Sequence, residues 1–356
     1  MISGRISEMN IIYADNENLS YMGRVDFSDL KAPKIIFAGS SITLRFKGTE
    51  IGAVIIDHRF YNIIELGALI DGKEIRVSVH KNGSEEYIPI AKGLDDTEHE
   101  VVLFKRQDAT HYFEFKGFAV KGEVLCKKDR PLRRIECYGD SVSAGAVCEA
   151  VDYTAKCDPE NHQGVFDNAW HSYSMITARN LGAEINNVAQ GGIAVLNGTG
   201  YFHAPDYIGM QSAYDKLGYY PEVGITDWDF KRYTPHIVLF AVGQNDQHHE
   251  GYADFDIDDP QYREKWKSAY KQIIADLREK YQGAVFVLLL TVLVHYEGWD
   301  EAVKEIADEL NDDKVLYFKF KRTGRATPGH PRLSEQYEMA EELTAFISNM
   351  GDKIWN

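Results

Sequence analysis

The chain has 356 residues, of which 44% are hydrophobic, 26% charged and 12% aromatic, values typical of folded globular proteins and not of disordered chains. Its 39 basic and 55 acidic residues give a formal net charge of -16, which offers no electrostatic attraction to nucleic acid or to an anionic membrane surface. The longest apolar run, Gly283 to Val294, is too short to cross a bilayer. At roughly 150 residues per domain, this length favours two domains. We therefore expect a two-domain protein that acts on a neutral substrate.

The N-terminus and the cysteines bear on the compartment. The start of the chain lacks a basic segment followed by an apolar stretch, so we expect a cytoplasmic protein, or a secreted one if a leader has been trimmed. The four cysteines, at positions 126, 137, 148 and 157, have neither CxxC spacing nor histidines at zinc-finger distances. Reduced, packed thiols are expected, with a Cys148–Cys157 bridge as the alternative in an oxidising compartment.

Residues 25–125 alternate short apolar runs with turn signals and have no helical period. The Asp71-Gly72 and Asn82-Gly83 pairs are typical of tight turns between antiparallel strands. This pattern predicts an antiparallel β-sandwich. The charged segment that ends at Pro131 then predicts a domain boundary, with the sandwich in residues 1–128 and a second domain in residues 129–356.

From residue 133 onwards, apolar strands alternate with helical stretches. The predicted strands are 133–138, 184–188, 236–242, 284–294 and 315–319, and the predicted helices are 172–180, 259–282, 300–311 and 334–350. This alternation predicts an α/β domain with a parallel sheet between two layers of helices. Ligands of such sheets bind beyond the carboxyl ends of the strands, so the residues after each strand are the functional candidates.

The first of these strands ends in Gly139-Asp140-Ser141. Gly139 lets the backbone turn sharply, and Ser141 would then open a helix whose N-terminal amides stabilise negative charge near its hydroxyl. A turn followed by a helix cap explains the same tripeptide equally well.

Three later segments offer complementary chemistry. Gly191-Gly192 follows the second strand and lets backbone amides approach a ligand, while Asn245 follows the third strand and carries an amide donor of the kind that oxyanion holes use. His330 precedes the last helix and can serve as a general base. Each segment alone fits a plain turn or loop. Together with Ser141, in this order along the chain, they would supply a nucleophile, oxyanion donors and a base.

The ordered segments Gly139-Asp140-Ser141, Gly192, Gly243-Gln244-Asn245-Asp246 and His330-Pro331 resemble the four blocks of the SGNH hydrolases, also called the GDSL esterase/lipase superfamily. More narrowly, the chain is similar to carbohydrate esterase family 2 in segments 42–49, 71–72, 116–118, 228–230 and 233–236. This resemblance extends from about Gly23 to the final helix. It implies an N-terminal jelly-roll β-sandwich joined to a three-layer α/β/α SGNH domain, and the removal of acetyl groups from plant cell-wall polysaccharides.

The resemblance also implies the roles of the site residues. Ser141 would be the nucleophile and His330 the base, and the oxyanion hole would consist of the backbone amides of Ser141 and Gly192 and the side chain of Asn245. The neighbouring Gly191 remains an alternative to Gly192, because the alignment can be shifted by one residue.

The acid of the expected triad is missing from its usual place. SGNH enzymes usually carry an Asp two or three residues before the catalytic His, but Pro328 and Thr327 occupy those positions here. Since the family includes members that resemble a Ser-His dyad, with a backbone carbonyl orienting the histidine, the sequence predicts a dyad. A carboxylate from elsewhere on His330 Nδ1, such as Asp246 or Glu335, would contradict this hypothesis.

Asp140, Tyr201 and Trp228 are the candidate substrate contacts, with the two aromatic residues either stacking on a sugar ring or packing a core or lid. The adjacent His248 and His249 diverge along the chain, so no metal site is predicted, and the expected chemistry needs no cofactor. The expected partner is an acetylated polysaccharide or oligosaccharide, not nucleic acid or a membrane, and homo-oligomerisation is left open.

The leading hypothesis is therefore an O-acetyl esterase that works through an acetyl-enzyme on Ser141. Two alternatives stay open: an SGNH lipase or thioesterase for longer acyl chains, and a catalytically inactive carbohydrate-binding protein. The acetylated sugar and the hydroxyl position are not defined by the sequence.

Overall fold

The computed structural model describes residues 9–60, 63–222, 224–247 and 256–356. His248 and His249, considered above as metal ligands, lie outside these residues. Within the described ranges, no helix combines the length and the apolarity needed to cross a membrane.

The N-terminal region is built from antiparallel strands. They are β1 (Asn10–Tyr13), β2 (Ser20–Met22), β3 (Val25–Asp26), β4 (Lys34–Ile35), β5 (Ser41–His58), β6 (Glu65–Ile70), β7 (Lys73–Ser78), β8 (Glu85–Lys105) and β9 (Tyr112–Val124). The main order is β3-β4-β9-β5-β8-β6-β7, with β1 on β9 and β2 on β5. The fold is the jelly-roll β-sandwich predicted from the alternating pattern. Its Asp71-Gly72 turn has positive φ at both residues, 51° and 80°, as a tight hairpin between β6 and β7 requires.

Two strands are longer than the sequence suggests. The pattern of short apolar runs predicts short strands, but the residues around Gly48 and Gly93 lie inside the long continuous strands β5 and β8, respectively. Register shifts between Gly48 and Glu50 and between Ile51 and Gly52 absorb the irregularity, because a bulge bends a strand without ending its pairing. These long bent strands enclose one apolar core, which includes Phe46, Leu103 and Phe118.

The second region is a parallel five-stranded sheet with helices on both faces. Its strands are β10 (Arg133–Gly139), β11 (Ala183–Ala189), β14 (Ile237–Ala241), β15 (Val285–Leu288) and β16 (Val315–Tyr317), in the order β11-β10-β14-β15-β16. A small antiparallel pair, β12 (Lys216–Gly218) and β13 (Thr226–Asp227), lies outside this sheet. The helices are α1 (Tyr173–Asn180), α2 (Met210–Ala213), α3 (Pro260–Lys280), α4 (Gly298–Leu310) and α5 (Leu333–Ser348).

Side chains alternate between the two faces of this sheet and build two cores. Tyr138 and Phe240 pack with residues of α3 and α4, whereas Cys137 and Leu239 pack with residues of α1 and α5. The strands β11, β14 and β15 are buried on both faces, and β14 and β15 accordingly read as continuous apolar runs in the sequence, whereas β11 also contains buried polar residues. The parallel sheet between two layers of helices predicted from the α/β alternation is confirmed, and it is the three-layer arrangement that the resemblance to SGNH hydrolases implies.

Two local expectations are wrong. The strand predicted for 284–294 ends at Leu288, because its neighbours β14 and β16 end at Ala241 and Tyr317 and leave later residues without pairing partners. Ser141 opens a series of turns and not a helix. The positive φ values of Gly145 and Val147, 70° and 54°, interrupt the right-handed conformation that a helix would need.

The two regions are joined by residues 125–132, which have no regular secondary structure and contain the predicted boundary at residue 128. All four cysteines are free thiols, so the alternative Cys148–Cys157 bridge is absent. Cys137 and Cys148 are buried, and Cys126 and Cys157 are exposed.

Candidate active site

The carboxyl edge of the parallel sheet gathers the predicted site residues. Strand β10 lies between β11 and β14, so the segment that follows it, with Ser141, is flanked by Gly192 after β11 and by Asn245 after β14. These residues and His330 line one cleft of about 550 Å³. Its remaining lining residues are Ala146, Val147, His162, Asp167, Gly191, Tyr201, Gln244, Gln247, Leu293, Val294 and Gly329.

Ser141 and His330 are in direct contact. His330 Nε2 lies 2.9 Å from Ser141 Oγ, a hydrogen-bond distance, although 189 residues separate them in the sequence. The histidine belongs to the loop before α5, and Ser141 is only 7% exposed. In this arrangement the imidazole can take the hydroxyl proton while the oxygen faces the cleft.

The hypothesis of a Ser-His dyad without a carboxylate is wrong. Asp158 Oδ2 lies 2.7 Å from His330 Nδ1, and Asp158 Oδ1 accepts a hydrogen bond from the His330 backbone amide at 3.0 Å. The acid is neither Asp246 nor Glu335: Asp246 accepts hydrogen bonds from the amides of the 195–196 segment, and Glu335 caps α5. A distant loop thus supplies the group that the histidine loop lacks.

Asp158 is held as a carboxylate by its surroundings. Arg332, which is fully buried, donates a hydrogen bond from a terminal nitrogen to Asp158 Oδ1 at 2.8 Å and a second to the His330 carbonyl at 2.6 Å. Burial acts to raise the pKa of Asp158, but the hydrogen bonds and charges of His330 and Arg332 outweigh it and hold the pKa well below its usual range. The loop requires Gly329, with φ 102°, because a Cβ there would lie 2.5 Å from Asp158 Oδ1. An ionised Asp158 fixes the tautomer in which Nε2 can accept the Ser141 proton.

The structure separates the two candidate glycines of the oxyanion hole. The Gly191 amide donates to Asp108 Oδ2 at 2.9 Å and is therefore occupied. Among the described residues, the Gly192 amide has no hydrogen-bond acceptor. Gly192 has φ 73°, and a Cβ there would lie 2.8 Å from the Cβ of Tyr201, so both the backbone angle and the space demand glycine. The role of Gly192 as an oxyanion donor stays a prediction, and this geometry favours Gly192 over Gly191.

Asn245 lines the cleft beside Ser141. Its side-chain nitrogen donates one hydrogen to the Ile193 carbonyl at 2.9 Å, which fixes the orientation of the amide. Its contact with Asp140 Oδ2 is 3.5 Å, at the outer limit of a hydrogen bond, so the second hydrogen can serve a developing oxyanion.

The predicted substrate contact of Asp140 is wrong. This side chain is fully buried, accepts a hydrogen bond from the Val142 amide at 2.9 Å, and accepts another from the Gln244 side chain. Gln244 in turn accepts from the amide and the hydroxyl of Thr291. Burial raises the pKa of Asp140 to about 6, although the bonds from Val142 and Gln244 oppose the shift. Asp140 therefore ties together the segments that follow three neighbouring strands.

The two aromatic candidates differ in position. Tyr201 is 46% exposed and lines the cleft, so its predicted substrate contact stays a prediction. Trp228 is only 5% exposed and lies between the guanidinium groups of Arg24 and Arg232, at 4.9 and 4.8 Å from its ring. Because Trp228 is packed in this way and does not line the cleft, its predicted substrate contact is wrong.

One group of carboxylates and a histidine elsewhere has the spacing of metal ligands: Glu74, Glu149 and His171. Arg76 and Arg106 both pair with Glu149, so cations of the protein already match much of this negative charge. His171 Nε2 lies 2.6 Å from Glu74 Oε2. The cluster acts as an ion-pair network that links the sandwich to the turns after β10.

Sequence reasoning missed Asp158 and Asp108. No local motif marks Asp158, because the contact with His330 spans 172 residues. The one available signal was Arg332, a cation two positions after His330, because an arginine that is buried needs a carboxylate partner. Asp108 belongs to the sandwich region, where no site residue was sought.

The comparisons with known proteins agree with this architecture. Residues 21–127 match the family described as carbohydrate esterase 2 N-terminal. A cellulase/esterase of Acetivibrio thermocellus is 31% identical over 347 residues, which cover 94% of this chain and 40% of that protein. An acetylxylan esterase / glucomannan deacetylase of Cellvibrio japonicus is 24% identical over 357 residues, which cover 98% of this chain and 93% of that protein.

A solved structure of a family two carbohydrate esterase from Clostridium thermocellum, in complex with cellohexaose, is 30% identical. It superposes with a TM-score of 0.78 and covers 93% of this chain and 98% of the solved one. The chain thus spans two-fifths of the first curated relative but nearly all of this solved chain. Because the similarity covers both domains and the site segments follow in the same order, the chain belongs to carbohydrate esterase family 2.

Proposed function

We propose that the protein is a serine esterase that removes O-acetyl groups from plant cell-wall polysaccharides or oligosaccharides. The observation that carries this proposal is the unbroken hydrogen-bond chain from Ser141 to His330 to Asp158, with 2.9 and 2.7 Å between the bonded atoms, at the wall of an open cleft. A packed loop has no need of a nucleophile, a base and a buried arginine that holds the acid.

In the proposed mechanism, Ser141 Oγ attacks the acetyl carbonyl while His330 Nε2 takes its proton. The amides of Ser141 and Gly192 and the side chain of Asn245 stabilise the tetrahedral oxyanion. The bond between the acetyl carbon and the sugar oxygen then breaks, His330 gives the proton to that oxygen, and the sugar leaves with a free hydroxyl while the acetyl group stays on Ser141. Water, deprotonated by the same His330, attacks the acetyl carbon, the bond to Ser141 Oγ breaks, and His330 returns the proton to Oγ as acetate leaves. Asp158 stays ionised throughout and stabilises the imidazolium.

The substrate class is supported by the relatives and by the cleft. The Cellvibrio japonicus relative is named an acetylxylan esterase / glucomannan deacetylase, and the Clostridium thermocellum structure holds cellohexaose. In this chain the cleft combines polar side chains, including His162 and Gln247, with the half-exposed ring of Tyr201. Such a lining suits a sugar, whose hydroxyls need hydrogen bonds and whose ring face stacks on an aromatic side chain. The net charge of -16 also favours a neutral glycan over an acidic one.

The two alternatives have less support. A lipase or thioesterase for long acyl chains needs an extended apolar channel, but the apolar side chains of the cleft are limited to short stretches such as Leu293-Val294. An inactive sugar-binding protein has no use for the contact between Asp158 and His330 Nδ1, which serves proton transfer and does not face the cleft.

The test is acetate release from acetylated xylan, acetylated glucomannan and a p-nitrophenyl acyl series. We expect activity on the acetylated glycans and a preference for acetate over longer acyl groups. Ser141→Ala and His330→Ala should each lower kcat on the order of 10⁴-fold or more, because members of such a unit fail together. Activity that survives Ser141→Ala would contradict the mechanism, and a wild-type protein that binds these glycans without releasing acetate would favour the sugar-binding alternative.

A further inference from the structure

A loop of the N-terminal sandwich reaches the catalytic edge of the second domain. It joins β8 to β9 and comprises residues 106–111. The buried Lys105 fixes its shape by donating hydrogen bonds from Nζ to the carbonyls of Gln107, at 2.7 Å, and Asp108. The amide of Ala169, in the second domain, donates to the Arg106 carbonyl at 2.8 Å. The loop is therefore held from both domains.

Asp108 extends from this loop to the segment that follows β11. Its Oδ2 accepts hydrogen bonds from the Gly191 amide and from the Gln190 side-chain nitrogen, each at 2.9 Å. Its Oδ1 accepts from the Thr110 amide at 3.0 Å, which fixes the carboxylate within its own loop. One carboxylate of the sandwich thus binds Gln190 and Gly191, the two residues directly before the predicted oxyanion donor Gly192.

The Gln190 side chain also restrains the peptide bond between Gly191 and Gly192. Its side chain is 1% exposed, and besides Asp108 its nitrogen contacts Thr110 Oγ1 at 3.0 Å and the Gly191 carbonyl at 3.2 Å. The Gly191 carbonyl and the Gly192 amide belong to the same peptide group. In a trans peptide these two groups point in opposite directions, so a carbonyl turned towards Gln190 turns the Gly192 N–H away from it.

The backbone at Gly191 and Gly192 needs such restraints. Without a Cβ, Gly191 and Gly192 have more backbone freedom than any other pair of residues, and an oxyanion hole works only if its donors are fixed before the charge develops. The contacts of Asp108 and Gln190 restrict the peptide plane between the two glycines. The amides of Tyr201 and Phe202 also donate hydrogen bonds to the Gly192 carbonyl, which restricts the following peptide plane.

We propose that Asp108 is a positioning residue, supplied by the sandwich domain, that orients the Gly192 amide towards the oxyanion. The sandwich is then part of the catalytic apparatus and not only a brace or a sugar-binding module. This inference rests on the proposed esterase function, because the oxyanion arises in that reaction.

The test compares Asp108→Ala, Asp108→Asn and the control Asp96→Asn, in which an exposed carboxylate of β8 is changed. Three quantities are measured: kcat and KM for p-nitrophenyl acetate, the affinity for methylboronic acid, which forms a tetrahedral adduct on a reactive serine, and the Tm. Removing one oxyanion donor costs about 10²- to 10³-fold in kcat, and misorienting one costs less. We expect Asp108→Ala to lower kcat roughly 10- to 100-fold, with KM changed less than about twofold, and to weaken the boronic acid by a similar factor.

Asp108→Asn keeps one acceptor oxygen for the Gly191 amide, so it should restore most of kcat, and Asp96→Asn should match the wild type. Unchanged kcat in Asp108→Ala, with an active wild type, would overturn this inference and leave the esterase intact. A fall in Tm together with a lower kcat and a higher KM, none of them restored by Asp108→Asn, would also overturn it, since that pattern indicates a structural role alone. A wild-type protein without acetate release or boronic acid binding would overturn the esterase proposal and this inference together.

Discussion

Two fully buried arginines in this molecule each pair with a carboxylate, in different surroundings. At the catalytic edge, Arg332 holds Asp158, which holds His330, and the chain of contacts ends at Ser141 in an open cleft. Between the two domains, Arg24 of the sandwich pairs with Glu136 of β10 at 3.1 Å, and both side chains are fully buried.

The pair between the domains is closed on every side. Arg24 also donates to the carbonyls of Tyr214 and Lys216 and to the Tyr138 hydroxyl, which itself donates to Glu136 at 2.9 Å. We call these residues, Arg24, Glu136 and Tyr138, the Arg24 cluster. The guanidinium, the carboxylate and the hydroxyl of this cluster are each hydrogen-bonded within the protein, whereas Ser141 lines the open cleft. Burial of charge alone therefore does not identify a reactive site. What distinguishes the catalytic edge is that its chain of contacts ends at a side chain that lines an open cleft.

The largest expected effect is on the stability of the protein when the Arg24–Glu136 pair is broken. Arg24→Met leaves Glu136 buried without its cation, and such losses cost about 3–5 kcal/mol in the free energy of unfolding. The double change Arg24→Met with Glu136→Met should recover much of this loss, because apolar side chains can replace a buried ion pair. Urea unfolding measures both, and kcat of the folded single variant should stay within about twofold of the wild type. A single variant as stable as the wild type would mean that the Arg24 cluster does not lock the domains together.

A smaller effect should appear in the pH dependence of stability. The pKa of Asp158 is depressed in the folded protein, so its contribution to stability is complete above its ordinary pKa of about 3.9 and is lost as pH falls towards the folded value. Burial raises the pKa of Asp140, Asp167 and Asp246 to about 6, and these carboxyl groups act in the opposite direction as pH falls through that range. The difference between the wild type and Asp158→Asn isolates the first effect.

We expect the free energy of unfolding of the wild type to fall more steeply than that of Asp158→Asn between about pH 5 and pH 2. Chemical denaturation at a series of pH values gives both curves. Parallel curves would show that Asp158 is not stabilised as a carboxylate by His330 and Arg332.

The smallest effect concerns the two aromatic residues. Tyr201→Ala should raise KM for acetylated oligosaccharides a few-fold, because one ring in the cleft contributes on the order of 1 kcal/mol. Trp228→Phe, which keeps a ring between Arg24 and Arg232, should leave KM unchanged. Steady-state kinetics on acetylated xylo-oligosaccharides compare the two. A raised KM in Trp228→Phe alone would place the sugar near the Arg24 cluster and not in the cleft.

The sequence predicted the fold where local pattern decides the structure. The central strand β14 is a continuous apolar run, and β10, β11 and β14 all lie within a residue or two of their predicted bounds. The length of the strands β5 and β8 could not be predicted, because Gly48 and Gly93 look like turn residues in the sequence but lie within bulged or bent strands. Whether a glycine ends a strand or bends it depends on the neighbouring strands, which the local pattern does not contain.

The site was predictable where its residues lie directly after a strand or directly before a helix. Ser141, Asn245 and His330 follow strands or precede a helix, so topology brings them to one edge. Asp158 and Asp108 reach that edge from loops whose paths no short motif describes. Trp228 was misassigned because an aromatic residue near a motif gives no indication of whether its ring faces a cleft or lies between two arginines.

The catalytic triad is the central claim, and kcat for acetate release by Asp158→Asn tests it most directly, with Asp152→Asn, an exposed carboxylate nearby, as the matched control. We predict that Asp158→Asn lowers kcat on the order of 10²- to 10⁴-fold with little change in KM, because the histidine loses the partner that fixes its tautomer, while Asp152→Asn behaves as the wild type. Wild-type kcat in Asp158→Asn would contradict the account and return the site to a Ser-His dyad.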